Sequence, residues 1–160
     1  MPHEPNSPRI RSVEASHIAD LISIAHETNI SHWSAQNYLD EMKNMDAVML
    51  RLETDENTTI GFVVGRIVHG GMVETQLEGE IYNIAVTETE QKRGYGQLLF
   101  DAFKAVCSDR NAVNIWLEVR ESNQPAKSFY QKNRFQIVQS RNNFYNNPRE
   151  HAILMKLPLK

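Results

Sequence analysis

The short glycine-containing segment Glu90-Gln91-Lys92-Arg93-Gly94-Tyr95-Gly96-Gln97 is well suited to bind an anion. It joins a strand-like run, residues 81–86, to a helix-like run, residues 97–107. The first turn of a helix presents backbone N–H groups without intrahelical partners, and the helix dipole adds about half a positive charge there. Gly94 and Gly96 would let the backbone curl with its amides inward and let a bulky group approach. The expected ligand is a nucleotide-like diphosphate.

Two common nucleotide motifs are absent from this segment. No Lys-Ser or Lys-Thr pair follows the glycines as in a P-loop, and Leu99 stands where the Rossmann fingerprint needs a third glycine. The remaining pattern, Gln91-x-x-Gly94-x-Gly96, resembles the pyrophosphate loop of the GNAT superfamily of N-acetyltransferases, which holds the diphosphate of acetyl-CoA. A tight turn between a strand and a helix could carry the same two glycines, so this alternative stays open.

A longer motif in the second half of the chain makes the resemblance more specific. The run Ile115-Trp116-Leu117-Glu118-Val119-Arg120-Glu121-Ser122-Asn123-Gln124-Pro125-Ala126, with Phe129-Tyr130 and Phe135 after it, resembles the W-L-E-V-R-x-S-N-x-x-A-x-x-x-Y pattern of RimI-type Nα-acetyltransferases. Residues 82–86, 32–34 and 141–145 resemble further segments of that group in its order. RimI enzymes acetylate the N-terminal alanine of a small-subunit ribosomal protein, and this resemblance implies a protein N-terminus as the acceptor.

The resemblance also implies a role for each matching residue. Glu118 would be the general base and Tyr130 the general acid. Asn123 would contact acetyl-CoA through its side chain, and Trp33 and Tyr145 would border the peptide entrance. The other cofactor-binding positions, which would act mainly through backbone groups, are Ile84, Ala85, Val86, Gln91, Lys92, Arg93, Gly94, Tyr95, Gly96 and Gln97.

Elementary acid–base chemistry fits these roles. A peptide α-amine with a pKa of about 7.8 is ~14% neutral at pH 7, whereas a lysine side chain with a pKa of about 10.4 is only ~0.04% neutral. One carboxylate, acting directly or through a water, would therefore suffice as base for an α-amine. A phenol that protonates a thiolate works uphill by about 2 kcal/mol, so Tyr130 is expected to act mainly as a hydrogen-bond donor.

Each candidate residue also has a purely structural interpretation. Glu118 could be a solvated glutamate on one face of an alternating strand, and Tyr130 could be a core aromatic residue. Asn123 could cap the helix that follows it. Trp33 could pack between the first two helices, and Tyr145 could be a packing residue of a polar loop. The common spacing of Glu118, Asn123 and Tyr130 favours the catalytic interpretation.

Two other functions are compatible with the same fold. A GNAT enzyme could acetylate a small-molecule amine or a lysine side chain, in which case the acceptor pocket would be narrow and closed. A non-catalytic acyl-CoA binding module would keep the glycine loop but would not need Glu118 and Tyr130 together.

The elements expected to position these residues alternate along the chain. The resemblance implies an α+β GNAT fold, with a mixed central sheet of about six to seven strands and about four flanking helices. Residues 1–8 would be a flexible N-terminal segment and residues 9–160 a single domain. Predicted strands cover residues 9–13, 47–52, 60–68, 80–86, 114–119, 135–140 and 152–157. Predicted helices begin after Ser16, after Ser34, at Gln97 and near Pro125. Polar connections are expected at residues 55–58, 70–79 and 141–150.

Composition excludes several other classes of protein. The chain has 160 residues, 41% of them hydrophobic, and can bury a core without disulfides. Its single cysteine, Cys107, lies on an apolar helical stripe and is expected to be a packed thiol. The net charge of −3 and scattered basic residues argue against direct nucleic-acid binding, and no apolar run is long enough to span a membrane. No metal site is expected, because the histidines lack ligand spacing. A cytoplasmic location is predicted.

One position departs from the RimI pattern. Asn133-Arg134-Phe135 follows the Tyr130 helix where the family usually has Leu-Gly-Phe. Because the glycine that normally ends this helix in the left-handed conformation is missing, Asn133 is expected to take that conformation.

Overall fold

The structure, a computed structural model, describes residues 7–54, 56–70 and 76–159. Within these residues the elements are β1 Arg9–Ser12, α1 Ile18–Glu27, α2 Ala35–Met42, β2 Ala47–Glu53, β3 Thr59–His69, β4 Leu77–Val86, α3 Tyr95–Asp109, β5 Asn114–Arg120, α4 Gln124–Lys132, β6 Gln136–Tyr145 and β7 Glu150–Pro158. The strands form a seven-stranded sheet in the order β1-β2-β3-β4-β5-β7-β6. The sheet is mixed, because β4 and β5 are parallel whereas β5 and β7 are antiparallel. This confirms the predicted fold class.

The chain divides into two compact units. The first unit comprises Met1–Arg66 and Asn83–Val106, and the second comprises Ile67–Tyr82 and Cys107–Lys160. The single domain expected over residues 9–160 therefore stays a prediction. Residues 1–6 of the predicted flexible segment and residues 71–75 of the predicted 70–79 connection lie outside the described residues. No helix in the described ranges is long and apolar enough to cross a membrane.

The core of the first unit lies between helices α1 and α2 and strands of the sheet. The buried side chains in this cluster share an apolar or aromatic character, and they are Val13, Ile18, Leu21, Ile24, Ala25, Tyr38, Phe62, Val64 and Ala85. Helix α2 begins as predicted at an N-cap serine, since the Asn37 backbone N–H donates to Ser34 Oγ at 3.1 Å. The cap and the buried face together hold α2 on the sheet.

The predicted N-cap of α1 is wrong. Ser16 lies inside a 3-10 turn, Ala15–His17, that precedes the helix. The Glu14 backbone N–H donates to Nδ1 of His17 at 2.9 Å. Glu14 and His17 therefore cap the 3-10 turn that precedes α1. Serine is a common N-cap residue, which is why the sequence predicts Ser16 instead.

A glycine in β3 determines how closely α3 approaches the sheet in the first unit. A Cβ added to Gly61 would lie 2.9 Å from the carbonyl oxygen of Ala85 and 3.0 Å from Cδ1 of Leu99. Leu99 is fully buried on α3. The absence of a side chain at Gly61 thus allows the helix that follows the glycine loop to pack against β3 and β4.

In the second unit, β5 buries one face of its alternating sequence. Ile115, Leu117 and Val119 are buried, whereas Trp116, Glu118 and Arg120 are only partly buried. This agrees with the predicted alternation and places Glu118 on the polar face. Strand β7 pairs with the whole length of β5, from Asn114 opposite Pro158 to Arg120 opposite Ala152.

The polar connection predicted for residues 141–150 is wrong over most of its length. Strand β6 continues to Tyr145, and only residues 146–149 form a turn before β7. The register shifts between Arg141 and Tyr145, where Asn143 takes a left-handed φ of 53°. Because β6 is an edge strand whose side chains are mostly exposed, its backbone pairs with β7 without any alternating apolar pattern.

The end of α4 is closed by Arg134, not by Asn133, so the prediction for Asn133 is wrong. Asn133 has a φ of −87°, whereas Arg134 has a left-handed φ of 73°. The backbone N–H of Phe135 donates to Tyr130 O at 3.0 Å and that of Arg134 donates to Gln131 O at 2.9 Å. These two bonds form a Schellman motif, which requires the left-handed residue at the position that Arg134 occupies.

Replacing Arg134 with glycine is expected to stabilise the fold. A non-glycine residue in the left-handed region costs about 1–2 kcal/mol, part of which is offset by the greater unfolded-state freedom of glycine. Arg134→Gly should raise the free energy of unfolding by about 1 kcal/mol in denaturant titration, whereas Asn133→Gly should lower it. A lower stability of Arg134→Gly would contradict the assigned helix end.

Candidate active site

The glycine loop lies in the first unit between β4 and α3. The Gln91 side chain donates through Nε2 to the carbonyl oxygen of Val86 at 2.9 Å, which ties the loop to the end of the strand. Lys92 and Gly94 both have left-handed φ angles, 65° and 82°. The first intrahelical bond of α3 runs from Leu98 N–H to Gly94 O at 3.2 Å. The backbone N–H groups just after Gly94 therefore have no partner within the helix.

The two glycines of the loop are needed for different reasons. Gly94 requires glycine for its backbone conformation, because its φ of 82° is unfavourable for other residues. Gly96 lies within the first turn of α3, and a Cβ added there would meet no atom of the described chain within 4 Å beyond its chain neighbours and the backbone of its own helix. Packing against other elements of the described chain does not explain Gly96, and the open space beside the first turn of α3 fits a ligand that approaches the backbone closely.

Glu118 lies in the second unit, partly buried on β5. Burial raises the pKa of its carboxyl group, the Arg141 guanidinium lowers it, and the Glu80 carboxylate raises it further. The net pKa lies above the ordinary glutamate value. The Nη1 atom of Arg141 lies 2.8 Å from Oε1 of Glu118. A carboxylate with a raised pKa is a better proton acceptor than an ordinary glutamate at neutral pH.

Tyr130 lies on α4 and is buried among aromatic rings. Its ring centroid is 5.4 Å from that of Phe129 and 5.4 Å from that of Phe135. Burial raises the pKa of the Tyr130 phenol, and Tyr145 adds to the effect. The hydroxyl is thus held protonated and can donate a hydrogen bond.

Tyr145 interacts electrostatically with both Glu118 and Tyr130. Burial raises the pKa of its phenol, and the negative charge of Glu118 raises it further. Its ring lies under the Arg120 guanidinium, whose Cζ is 4.4 Å from the ring centroid. These interactions all lie within the second unit, and the functional roles of the three residues stay predictions.

Arg120 fixes the turn that directly follows Tyr145. Its guanidinium donates to the carbonyl oxygens of Pro148 at 3.1 Å and Asn146 at 3.3 Å. It also pairs with Glu150 at 3.4 Å. Hydrogen bonds from the Ser122 side chain and backbone N–H lower the pKa of Glu150. The end of β5 and the β6–β7 turn are therefore joined by one charged network.

Asn123 and Trp33 have observed structural roles that leave their predicted functions untested. Oδ1 of Asn123 accepts a hydrogen bond from the Ala126 backbone N–H at 3.2 Å, so Asn123 caps α4. The Nδ2 amide of Asn123 is not used by this cap and could contact acetyl-CoA. Trp33, in the first unit, packs against Tyr38 with ring centroids 5.2 Å apart and borders a cavity of about 360 Å³ with Asn37, Asp40, Glu41 and Arg66.

Cys107 is unsuited to be a nucleophile. Its thiol is fully buried, and burial raises its pKa to about 12. Within the described part of the chain, no group of three or more His, Cys, Asp or Glu side chains could hold a metal ion. The packed thiol predicted from the sequence is confirmed.

Comparison with known proteins assigns the family. Residues 18–135 match the acetyltransferase (GNAT) family. The chain belongs to the GNAT family. Among its relatives, the [ribosomal protein bS18]-alanine N-acetyltransferase of Haemophilus influenzae is 31% identical over 150 residues, which cover 91% of this chain and 95% of the relative. An N-alpha-acetyltransferase of Sulfurisphaera tokodaii is 30% identical over 157 residues, covering 94% and 93%.

Solved structures of GNAT enzymes agree with this assignment. The ribosomal-protein-S18-alanine N-acetyltransferase of Escherichia coli has a TM-score of 0.83 at 25% identity, covering 96% of this chain and 95% of the other. Arabidopsis thaliana NAA60 in complex with acetyl-CoA has a TM-score of 0.86 at 20% identity, covering 96% and 99%, and shares the fold. This GNAT protein is an N-acetyltransferase, as the sequence motifs predict.

Several residues around the predicted site are not evident from the sequence. Arg141 was recognised only as part of a family-like segment, and its ion pair with Glu118 depends on β6 being a strand. Glu80 lies on β4 opposite Trp116, on the face of the sheet that carries Glu118. Once β4 and β5 are paired in parallel, alternation along β4 identifies Glu80.

Proposed function

We propose that this GNAT enzyme transfers the acetyl group of acetyl-CoA to the N-terminal α-amine of a protein that begins with alanine. The observation that carries the proposal is a partly buried Glu118 on β5, with the Tyr145 ring under the guanidinium of Arg120 on the same strand. A buried Tyr130 on α4 supplies a protonated hydroxyl in the same unit. The relatives named for ribosomal protein bS18 support a small-subunit ribosomal protein as the acceptor. A ribosomal substrate would be consistent with the cytoplasmic location predicted from the sequence.

Glu118 would remove a proton from the acceptor amine. At neutral pH most of an α-amine population is protonated, and a carboxylate with a raised pKa accepts the proton at a smaller energetic cost than an ordinary glutamate. Loss of that proton leaves the nitrogen lone pair free to attack. The α-amine therefore matches the strength of this base better than a lysine side chain does.

Tyr130 would stabilise the leaving group. Acetyl-CoA would supply the acetyl group as a thioester, whose sulfur becomes negatively charged when the acetyl group is transferred. The Tyr130 hydroxyl, protonated because burial raises its pKa, would donate a hydrogen bond to that charge. The buried Cys107 has no role in this scheme, so transfer is direct.

The glycine loop would hold acetyl-CoA. The backbone N–H groups at the start of α3 would bind the diphosphate, and the open space beside Gly96 would accommodate it. Ile84, Ala85 and Val86, at the end of β4, and the side chain of Asn123 would complete the binding site as the family pattern implies. Trp33 and Tyr145 would border the acceptor peptide.

Replacing Gly96 with alanine is expected to separate cofactor binding from folding. An added Cβ meets no atom of another element in the described chain, and alanine favours a helix by about 1 kcal/mol over glycine, so thermal stability should be unchanged or higher. The same Cβ would obstruct the diphosphate, and the Kd for acetyl-CoA should rise about tenfold or more in calorimetry. Gly61→Ala is the opposite control, since it should lower stability. Normal acetyl-CoA affinity in Gly96→Ala would contradict the assigned binding mode.

The acceptor class is tested with a peptide panel and intact-mass readout. Peptides beginning with alanine and serine should gain one acetyl group each, whereas N-terminally blocked versions should gain none. Polyamines and lysine side chains should be poor acceptors. Turnover of polyamines or lysine side chains, without acetylation of any free N-terminus, would support the small-molecule or lysine alternative. Binding of acetyl-CoA without turnover of any amine would support a binding module.

A further inference from the structure

The ion pair between Arg141 on β6 and Glu118 on β5 crosses the intervening strand β7. Glu118 on β5 lies opposite Leu154 on β7, and Arg120, two residues further along β5, lies opposite Ala152. Ala152 also lies opposite Arg141 on β6. Adjacent strands are about 4.8 Å apart, so Arg141 must reach over β7 to meet Glu118. The small side chain of Ala152 leaves room for this path.

The two arginines that flank Ala152 have different partners. Arg120 contacts two carbonyl oxygens of the β6–β7 turn, Glu150 and the ring of Tyr145. Arg141 instead places Nη1 2.8 Å from Oε1 of Glu118, with its Cζ 5.4 Å from the Phe144 ring centroid. Arg141 is thus the cation in contact with the proposed base.

An irregularity in β6 orients the side chain of Arg141. The register between β6 and β7 shifts between Arg141 and Tyr145, and Asn143 within it is left-handed. The Asn143 backbone N–H donates to Nδ1 of His151 at 3.0 Å, which fixes the irregularity to β7. Bulges of this kind commonly redirect side chains beside functional sites.

We propose that Arg141 is a positioning residue for the base: it holds Glu118 through Oε1 in the charged form and leaves Oε2 to take the proton of the acceptor amine. This inference rests on the proposed function of Glu118. Arg141 touches neither the acceptor nor acetyl-CoA in this scheme. It acts by setting the charge and the orientation of one carboxylate.

Several other charged or titratable groups lie around Glu118. Glu80 on β4 opposes ionisation of Glu118, Tyr145 on β6 interacts with it, and Tyr130 on α4 interacts with Tyr145. The remaining charges on these strands are engaged elsewhere: Glu78 accepts from Trp116 Nε1, Lys156 lies over the Trp116 ring, and Arg120 and Glu150 pair with each other. Arg141 is therefore the group expected to offset burial and Glu80.

A titration of Glu118 tests the pair without any need for turnover. Protein labelled with ¹³C at the glutamate carboxyl carbons would be titrated by NMR, and the Glu118 resonance would be assigned by its loss in Glu118→Gln. Because Arg141 favours the charged carboxylate, Arg141→Gln should move the titration midpoint to higher pH, and Arg141→Lys should restore most of the difference. An unchanged or lower midpoint in Arg141→Gln would overturn the proposal.

The pH dependence of catalysis supplies the second readout. The acid limb of kcat/KM for an alanine-initiated peptide should move to higher pH in Arg141→Gln, with a loss of about two- to fivefold on that limb, as expected for a half-exposed ion pair. Arg110→Gln, which removes an exposed arginine from the same unit, should leave the limb in place. A limb that does not move, or that moves equally in Arg110→Gln, would reject the positioning role. If the wild-type enzyme acetylates no N-terminus, the proposed function fails, while the NMR titration still decides whether Arg141 sets the charge of Glu118.

Discussion

Glu118→Gln is expected to lower kcat for an alanine-initiated peptide by about 10²-fold at pH 7, with little change in the Kd for acetyl-CoA. Glutamine keeps the size of the side chain but cannot accept the proton of the ammonium group. The defect should shrink as the pH rises past the α-amine pKa of about 7.8, because the acceptor then arrives without its extra proton. Stopped-time product assays from pH 6 to 9 would measure both effects.

Two observations distinguish the loss of a catalytic base from a general loss of structure. Glu121→Gln removes an exposed carboxylate from the turn directly after β5 and should leave kcat unchanged. Glu118→Gln also removes the partner of Arg141, yet this pair is half-exposed and contributes only about 0–1 kcal/mol, so the variant should remain folded. Near-normal turnover at pH 7 would remove Glu118 from the mechanism.

Tyr130→Phe should lower kcat by about 10²-fold and leave the KM for the peptide and the Kd for acetyl-CoA close to the wild-type values. The ring keeps its contacts with Phe129 and Phe135, while the hydroxyl that would stabilise the leaving sulfur is lost. Because the phenol pKa is raised, the wild-type hydroxyl stays protonated across the neutral range, and the size of the defect should not vary between pH 6 and 9.

Steady-state kinetics and thermal unfolding decide whether Tyr130 acts in this way. A buried tyrosine with a purely structural role would show lower stability in the phenylalanine variant and an unaltered kcat. A kcat within about twofold of wild type would therefore support the structural interpretation, in which Tyr130 is only a core aromatic residue.

Local pattern was sufficient to predict most of the fold. Alternation in β5 placed Glu118 on the polar face, and Ser34 and Asn123 cap the helices that follow them. These features depend on residues close together in sequence. The end of α4 was assigned one residue too early, because the bonds that close a Schellman motif require the left-handed residue at Arg134 and the sequence offered no glycine to mark it.

The surroundings of the base could not be predicted, because they depend on tertiary pairing. Residues 141–145 are polar and gave no strand pattern, yet their backbone pairs with β7, and this pairing brings Arg141 to Glu118 and Tyr145 beside Arg120. The glycine loop shows the complementary case. The spacing of the motif identifies Gly96. The structure adds that contacts with other elements of the described chain do not require glycine at this position.

The most direct test of the central claim uses one peptide with two competing amines. A peptide that begins with alanine and carries an internal lysine would be incubated with enzyme and acetyl-CoA, and fragment-ion masses would locate the acetyl group. The proposed function predicts one acetyl group, on the α-amine of the alanine, and no product from the same peptide with a blocked N-terminus. An acetyl group on the lysine, or equal product from the blocked peptide, would contradict it.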